Sequence, residues 1–223
     1  MTDSFQADKG KIPCHYGPFR DSFVYLPVCE SGGICLEWYK DHFIKDMTFR
    51  QLDEAASRRQ TDENLIFLPY VNGVNAPEFD KNASGVFYGL SVKHDAVSLG
   101  AAVMEGVAFL LDKNIHALGE LGIYPSEILS SGGGAKSDYW NQLKADITGI
   151  PVAIPTNEEA ALCGAAIIGA VTSGYLDDYE QSKELITIGK VLYPHENERL
   201  CRKKQLFDRI YGRLFIGGER VPV

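Results

Sequence analysis

Three consecutive glycines, Gly132, Gly133 and Gly134, lead through Ala135 and Lys136 to Ser137. They lie between a short segment, Glu127 to Ser130, that reads as a strand and a segment with helical spacing from Ser137 to Thr148. Glycines at such a junction let a backbone approach a ligand closely, and the N–H groups of a helix start favour an anion, most often phosphate. The same residues also suit a tight turn in which helix and strand pack too closely for a Cβ. Spacing alone leaves both open. A Walker loop needs glycine before Lys-Ser, whereas here Lys136 and Ser137 follow Ala135. A dinucleotide fingerprint needs G-x-G-x-x-G with an acid about 20 residues on. Gly132, Gly134 and Ser137 match it in part, with Glu158 as the acid, although more than half of the chain precedes this loop.

Other chemistry-bearing residues have plainer roles. Glu105 is the single charge in an otherwise apolar helical segment and reads as a hydrogen-bonded structural carboxylate. Asp138 and Glu159 suit helix starts. Lys136 is placed either to reach a phosphate or to stay solvated. His15, His42, His94, His116 and His195 share no ligand spacing, so no metal site is expected. Trp38 and Trp140 fall on apolar helix faces, and Cys163 lies amid alanines as packing.

The elements that must position the glycine loop follow from periodicity. Ile12 to Tyr16 and Phe23 to Cys29 read as strands around turn residues. Leu36, Tyr39, Phe43 and Ile44 predict a helix over 33–44, and the polar stretch 51–64 a short surface helix. Leu65 to Tyr70 is a buried strand, followed by a long loop to Ser84 and a short apolar return at Phe87 to Leu90. The segment from Val97 to Leu111 is apolar on nearly every face, which marks a buried helix. After the glycine loop, Trp140, Leu143 and Ile147 share a helix face ended by Gly149, and Pro151 to Ile154 is a second strand. Thr156 to Glu159 reads as a capping box opening a small-residue helix from Ala160 to Thr172. Strand, glycine loop, helix, strand and helix form an α/β crossover with parallel strands. Leu200, Phe207, Ile210 and Leu214 mark an amphipathic helix near the end of the chain.

Composition narrows the classes of function. The 223 residues carry 22 basic and 30 acidic side chains, a net charge of −8, which disfavours nucleic acid or an anionic membrane as partner. With 45% hydrophobic and 23% charged residues the chain is a globular α/β protein, not a disordered one. Five cysteines without a C-x-x-C pair argue for a reducing compartment, and a cytoplasmic location is expected. No run approaches the roughly 18 apolar residues of a membrane span, and the first residues lack the pattern of a signal peptide.

The segment from Ser131 to Val152, SGGGAKSDYWNQLKADITGIPV, resembles the C-terminal signature of the FGGY family of carbohydrate kinases. Phe67 to Tyr70, the loop from Gly73 to Pro77, Gly85 to Leu90, Val103 to Phe109 and Glu159 to Ala166 are similar to that family in the same order. Cys14-His15 and the run from Gly33 to Tyr39 are most similar to its xylulokinase branch. The resemblance implies a ribonuclease-H/actin-like ATPase lobe, a mixed sheet flanked by helices, with ATP and Mg²⁺ in a cleft between two lobes. By position it implies that Gly133 and Ser137 hold the phosphates and sugar of an adenine nucleotide, that Gly132 and Gly134 complete their loop, and that Gly33 is a second nucleotide-contacting glycine. Residues 1–195 would form the C-terminal lobe and 196–223 a terminal helix and tail packed on it.

Departures from the family pattern bear on activity. The family's catalytic aspartate and a Gly-Thr-Ser-Gly phosphate loop precede the region matched here, so no catalytic residue is assigned and the N-terminal sugar-binding lobe is expected to be absent. Ala101 stands where the family usually has Arg, and Val74-Asn75-Ala76 replaces a usual Glu-Arg-Thr. The resemblance therefore implies transfer of the ATP γ-phosphoryl to a pentulose-type sugar in a full-length enzyme, with weak nucleotide binding and no turnover by this chain alone. Apolar helix faces that the other lobe would cover are expected to favour a homodimer. A stand-alone ATP-binding module and a dinucleotide-dependent oxidoreductase remain as alternatives.

Overall fold

The computed structural model describes residues 2–6, 12–28, 31–59, 61–76, 79–157 and 159–216. Cys29, Pro77 and Glu158, read above as parts of a strand, a loop and a cap, lie outside these residues. The chain opens with an antiparallel hairpin, β1 (Cys14–Tyr16) and β2 (Phe23–Tyr25), in register Cys14 to Tyr25. Helix α1 (Gly33–Phe43) buries Cys35, Leu36 and Tyr39. Helix α2 (Phe49–Ser57) opens with a capping box: the Thr48 side chain accepts from the Gln51 N–H, and the Gln51 side chain accepts from the Thr48 N–H. It is not merely a surface helix, because Leu52 and Ala56 are fully enclosed.

Strand β3 (Ile66–Leu68) is buried throughout and pairs antiparallel with β4 (Val86–Tyr88). Helix α3 (Ala96–Gly119) begins at Asp95, whose side chain accepts from the Ser98 N–H. It runs eight residues beyond the predicted end at Leu111, and Asp112 and Asn114 in that extension are also buried. Strand β5 (Ile128–Leu129) leads into the glycine segment, then helix α4 (Asp138–Thr148) stops at Gly149, whose φ of 69° is left-handed. Strand β6 (Val152–Pro155) lies parallel to β5, as the crossover pattern requires. Helix α5 (Ala160–Thr172) follows, and β7 (Ile188–Leu192) then pairs antiparallel with β6, which makes the sheet mixed. Helix α6 (Glu198–Tyr211) buries Leu200, Phe207, Ile210 and Tyr211.

Three local expectations are corrected. Thr156 does not cap α5: its N–H donates to the Thr187 carbonyl at 2.9 Å, because the β6–β7 pairing continues through it. The cap position of α5 is Glu159, which makes no side-chain capping bond. Leu214 does not share the buried face of α6. A π-helical turn from Gly212 to Ile216 adds a residue to the turn and rotates the register, so Leu214 is exposed while Phe215 packs at 5.3 Å from Tyr70. Helix α5 is apolar, yet none of its residues is buried, and Leu162 and Ile168 are 68% and 57% exposed. Cys163 on it is accordingly only half-enclosed. Among the described residues no helix is long and apolar enough to cross a membrane.

The core forms around α3, which packs against α1, α2, β3, α4 and α6. At Gly106 this helix passes so close to β3 that an added Cβ would stand 2.3 Å from the Phe67 carbonyl oxygen. Beside it, the Glu105 carboxylate is enclosed and meets Lys203 at 2.5 Å, Arg199 at 3.0 Å and the Thr61 hydroxyl at 2.5 Å. Lys203 is itself fully buried. This polar knot ties α6 to the centre of α3. On α4, the Lys144 ammonium donates to Asn141 at 3.0 Å and lies 4.8 Å over the Trp140 ring, and burial lowers its pKa from 10.5 to about 8.

Two outcomes follow from these buried charges. Glu105→Ala leaves Lys203 and Arg199 without their counter-charge and should cost about 3–5 kcal/mol, read as a lower urea midpoint. The unfolded chain keeps the Lys144 proton up to pH 10.5, whereas the folded chain releases it near pH 8. Stability should therefore rise with pH across that interval. Lys144→Met should flatten this rise and stabilise the protein below pH 8 by on the order of 2 kcal/mol, as denaturation at several pH values would show.

Candidate functional site

A cleft of about 630 Å³ opens between α1, α2 and the glycine segment. Gly33, Leu36 and Glu37 of α1 form one wall, and Thr48, Phe49, Arg50 and Asp53 at the start of α2 form the next. Gly133, Gly134, Lys136 and Ser137 close the third side, over a floor of Met104 and Trp140. Four of the five residues picked out by sequence, Gly33, Gly133, Gly134 and Ser137, thus face one space although about 100 positions separate Gly33 from the rest. Gly132 does not line it. Its role is conformational: φ of 70° with ψ of −160° is open essentially to glycine alone, and it turns the chain into the loop.

The glycine segment differs from the expected helix start. Gly133 to Lys136 form a 3₁₀ turn of their own, and α4 begins only after Ser137. The first amides of such a turn, those of Gly133 and Gly134, have no acceptor within it. The close-packing explanation for the glycines does not hold at the cleft. A Cβ on Gly33 or Gly133 would meet no atom within 4 Å. At both, a ligand in the cleft has room to approach the backbone.

The loop is clamped from below by a residue that the sequence reading did not single out. Asn141 is fully buried, and its amide donates to the carbonyls of Gly134, Ala135 and Ser137 at 3.2, 3.0 and 2.8 Å. Its carbonyl oxygen accepts from the Ser130 hydroxyl at 2.8 Å and from Lys144 at 3.0 Å. The available signal was an asparagine on the same helix face as Ser137, next to Trp140. Trp140 in turn donates its indole N–H to the Met104 carbonyl at 2.9 Å, which fastens α4 and the loop to α3.

Asp53 was also missed, and no local pattern could have revealed it, since its partner lies 84 positions away. The Ser137 hydroxyl donates to Asp53 Oδ1 and accepts from the Trp140 N–H at 2.9 Å. Burial raises the Asp53 pKa, opposed by the bonds from Ser137 and from the Tyr139 N–H. Of the other candidates, Asp138 forms an ion pair with Lys190 at 2.6 Å in the first turn of α4, as a helix-start residue. Glu105 is structural. Among the described residues no group of three or more His, Cys, Asp or Glu side chains could hold a metal ion.

Comparison with known proteins identifies the family and the fold. Residues 5–173 match the model of the FGGY family of carbohydrate kinases, C-terminal domain. A xylulose kinase of Bacillus subtilis is 31% identical over 202 residues, covering 90% of this chain and 40% of that protein. A gluconokinase of Bacillus licheniformis is 31% identical over 199 residues, covering 83% and 39%. The crystal structure of ligand-bound xylulose kinase from Lactobacillus acidophilus superposes with a TM-score of 0.83 at 26% identity, covering 96% of this chain and 44% of that one. Plasmodium falciparum glycerol kinase with ADP shares the fold, with a TM-score of 0.81 at 18% identity. The chain therefore spans about two fifths of the length of the relatives it matches. An oxidoreductase reading of the glycines loses its basis: β7 is antiparallel, the loop is a separate 3₁₀ turn, and the family is another. The fold is the ribonuclease-H/actin-like α/β fold of the sugar kinases, and the chain belongs to the FGGY family of carbohydrate kinases as its C-terminal domain.

Proposed function

We propose that this chain is the nucleotide-holding part of an ATP-dependent, xylulokinase-like sugar kinase. The observation that carries the proposal is the pair of glycines, Gly33 and Gly133, that face one cleft with open space where each Cβ would stand. Phosphoryl transfer relies on positioning and charge stabilisation more than on covalent chemistry. The amides of Gly133 and Gly134 are suited to donate to phosphate oxygens, and Lys136 stands beside them. Phe49, Leu36, Met104 and Trp140 supply an apolar surface for a nucleobase. Magnesium bound to the phosphates supplies charge neutralisation during transfer. Asn141 holds the loop so that its donors need not reorganise.

Binding of a pentulose-type acceptor and removal of its hydroxyl proton are assigned to residues outside this cleft. The support is the length of the relatives, of which this chain matches two fifths, and the xylulose kinases among them.

Thermal denaturation should show stabilisation by ADP that is lost, by at least about tenfold in affinity, in Gly133→Asp, whose carboxylate would enter the phosphate region. The purified chain should release no ADP from ATP in response to xylulose. Robust sugar-dependent ADP release would overturn the assignment of catalysis to residues outside the cleft.

A further inference from the structure

Ser137 has a single hydroxyl proton, and Asp53 takes it. Its oxygen already accepts the Trp140 N–H. Ser137 can thus offer a ligand one remaining lone pair and no donor. Beside it, the Asp53 carboxylate accepts from Ser137 and from the Tyr139 N–H, which fills two of its roughly four acceptor positions. The Ser137 and Asp53 side chains therefore present acceptors only, within a cleft whose cations are Arg50 and Lys136. Phosphate oxygens are also acceptors and carry negative charge, so they are repelled here and fit the Gly133 and Lys136 end instead. A hydrogen-bond donor from a ligand is what these two side chains can still receive.

Apolar atoms surround the same two side chains. Phe49 flanks Asp53 on the start of α2, and Trp140 and Met104 form the floor beneath Ser137. A half-buried acceptor among apolar groups discriminates strongly, because a ligand without the matching donor leaves it unpaired, and a ligand with an acceptor there is repelled. The nucleoside half of an adenine nucleotide carries such donors: the exocyclic amine of the base and the ribose hydroxyls.

We infer that Asp53 is a nucleotide-selecting residue, whose carboxylate accepts a hydrogen bond from a donor on the nucleoside half of the bound nucleotide. This reassigns Ser137 as the partner that orients Asp53, rather than as a phosphate ligand, and it rests on the nucleotide-binding role proposed above.

Calorimetric titration of the chain with ADP, IDP and 2′-deoxy-ADP tests the inference. IDP replaces the exocyclic amine with an oxygen, and 2′-deoxy-ADP removes a ribose hydroxyl. The unmodified chain should bind at least one of the two analogues about tenfold or more weakly than ADP. Asp53→Asn should reduce that ratio to about threefold or less, with ADP itself weakened. Loss of the IDP penalty identifies the base amine as the donor, and loss of the deoxy penalty identifies the ribose. Ser137→Ala should retain part of the selectivity, because Asp53 is still present but has lost the bond that orients it. Equal affinity of the unmodified chain for all three nucleotides overturns the inference without need of any variant. So does selectivity unchanged in Asp53→Asn, or erased as fully by Ser137→Ala. Absence of binding by all three nucleotides instead removes the nucleotide-holding role itself.

Discussion

The close approach of α3 to β3 at Gly106 is the constraint on which the rest of the structure depends. A helix can touch a strand backbone only where it lacks a Cβ, and here the gap to the Phe67 carbonyl leaves no room for one. With α3 set at that depth, its remaining faces receive α1, α2, α4 and α6. Gly100 repeats the device one and a half turns earlier, where Leu52 of α2 and Tyr39 of α1 press against the helix. The walls of the cleft are therefore aligned on one buried helix. Phe49 and Asp53 come with α2, Gly33 with α1, and the glycine loop with α4.

Polar groups complete the alignment where apolar packing cannot specify direction. The Trp140 indole bonded to the Met104 carbonyl fixes the rotation of α4 on α3. Asn141, one position further, then spends its amide on three loop carbonyls, those of Gly134, Ala135 and Ser137. A neutral clamp suits this role: a buried charge would need a partner and would bias the field at an anion site. Glu105 shows the contrasting use of charge. It lies one residue from Gly106, draws Lys203 and Arg199 inward, and thereby sets where α6 crosses α3.

The local pattern foretold most of these elements. Helix α1, strand β3, the β5–α4–β6 crossover and the buried helix α3 appear where spacing and apolar content placed them. Four of the five glycine-loop and cleft residues also meet, because resemblance to a family encodes a tertiary arrangement that spacing does not. The failures occurred where a distant strand or a helix defect intervened. Strand β7 recruits Thr156 into a ladder, so a sequence that reads as a capping box becomes the continuation of a strand. The π-helical turn after α6 exchanges Phe215 for Leu214 on the buried face.

By itself, the sequence determined the α/β class, the backbone freedom at Gly132 to Gly134 and a net charge of −8 that disfavours a polyanionic partner. These are properties of local periodicity, of a missing Cβ and of summed charge, and each can be read within a few residues or over the whole composition. Only the tertiary structure decided that Gly33 and Gly133 line one cleft, that Asp53 accepts a hydrogen bond from a serine 84 positions away, and that the apolar helix α5 buries none of its residues. Contact between such distant segments follows from how helices dock on a shared core, and a side chain carries no record of its neighbours until that docking has occurred.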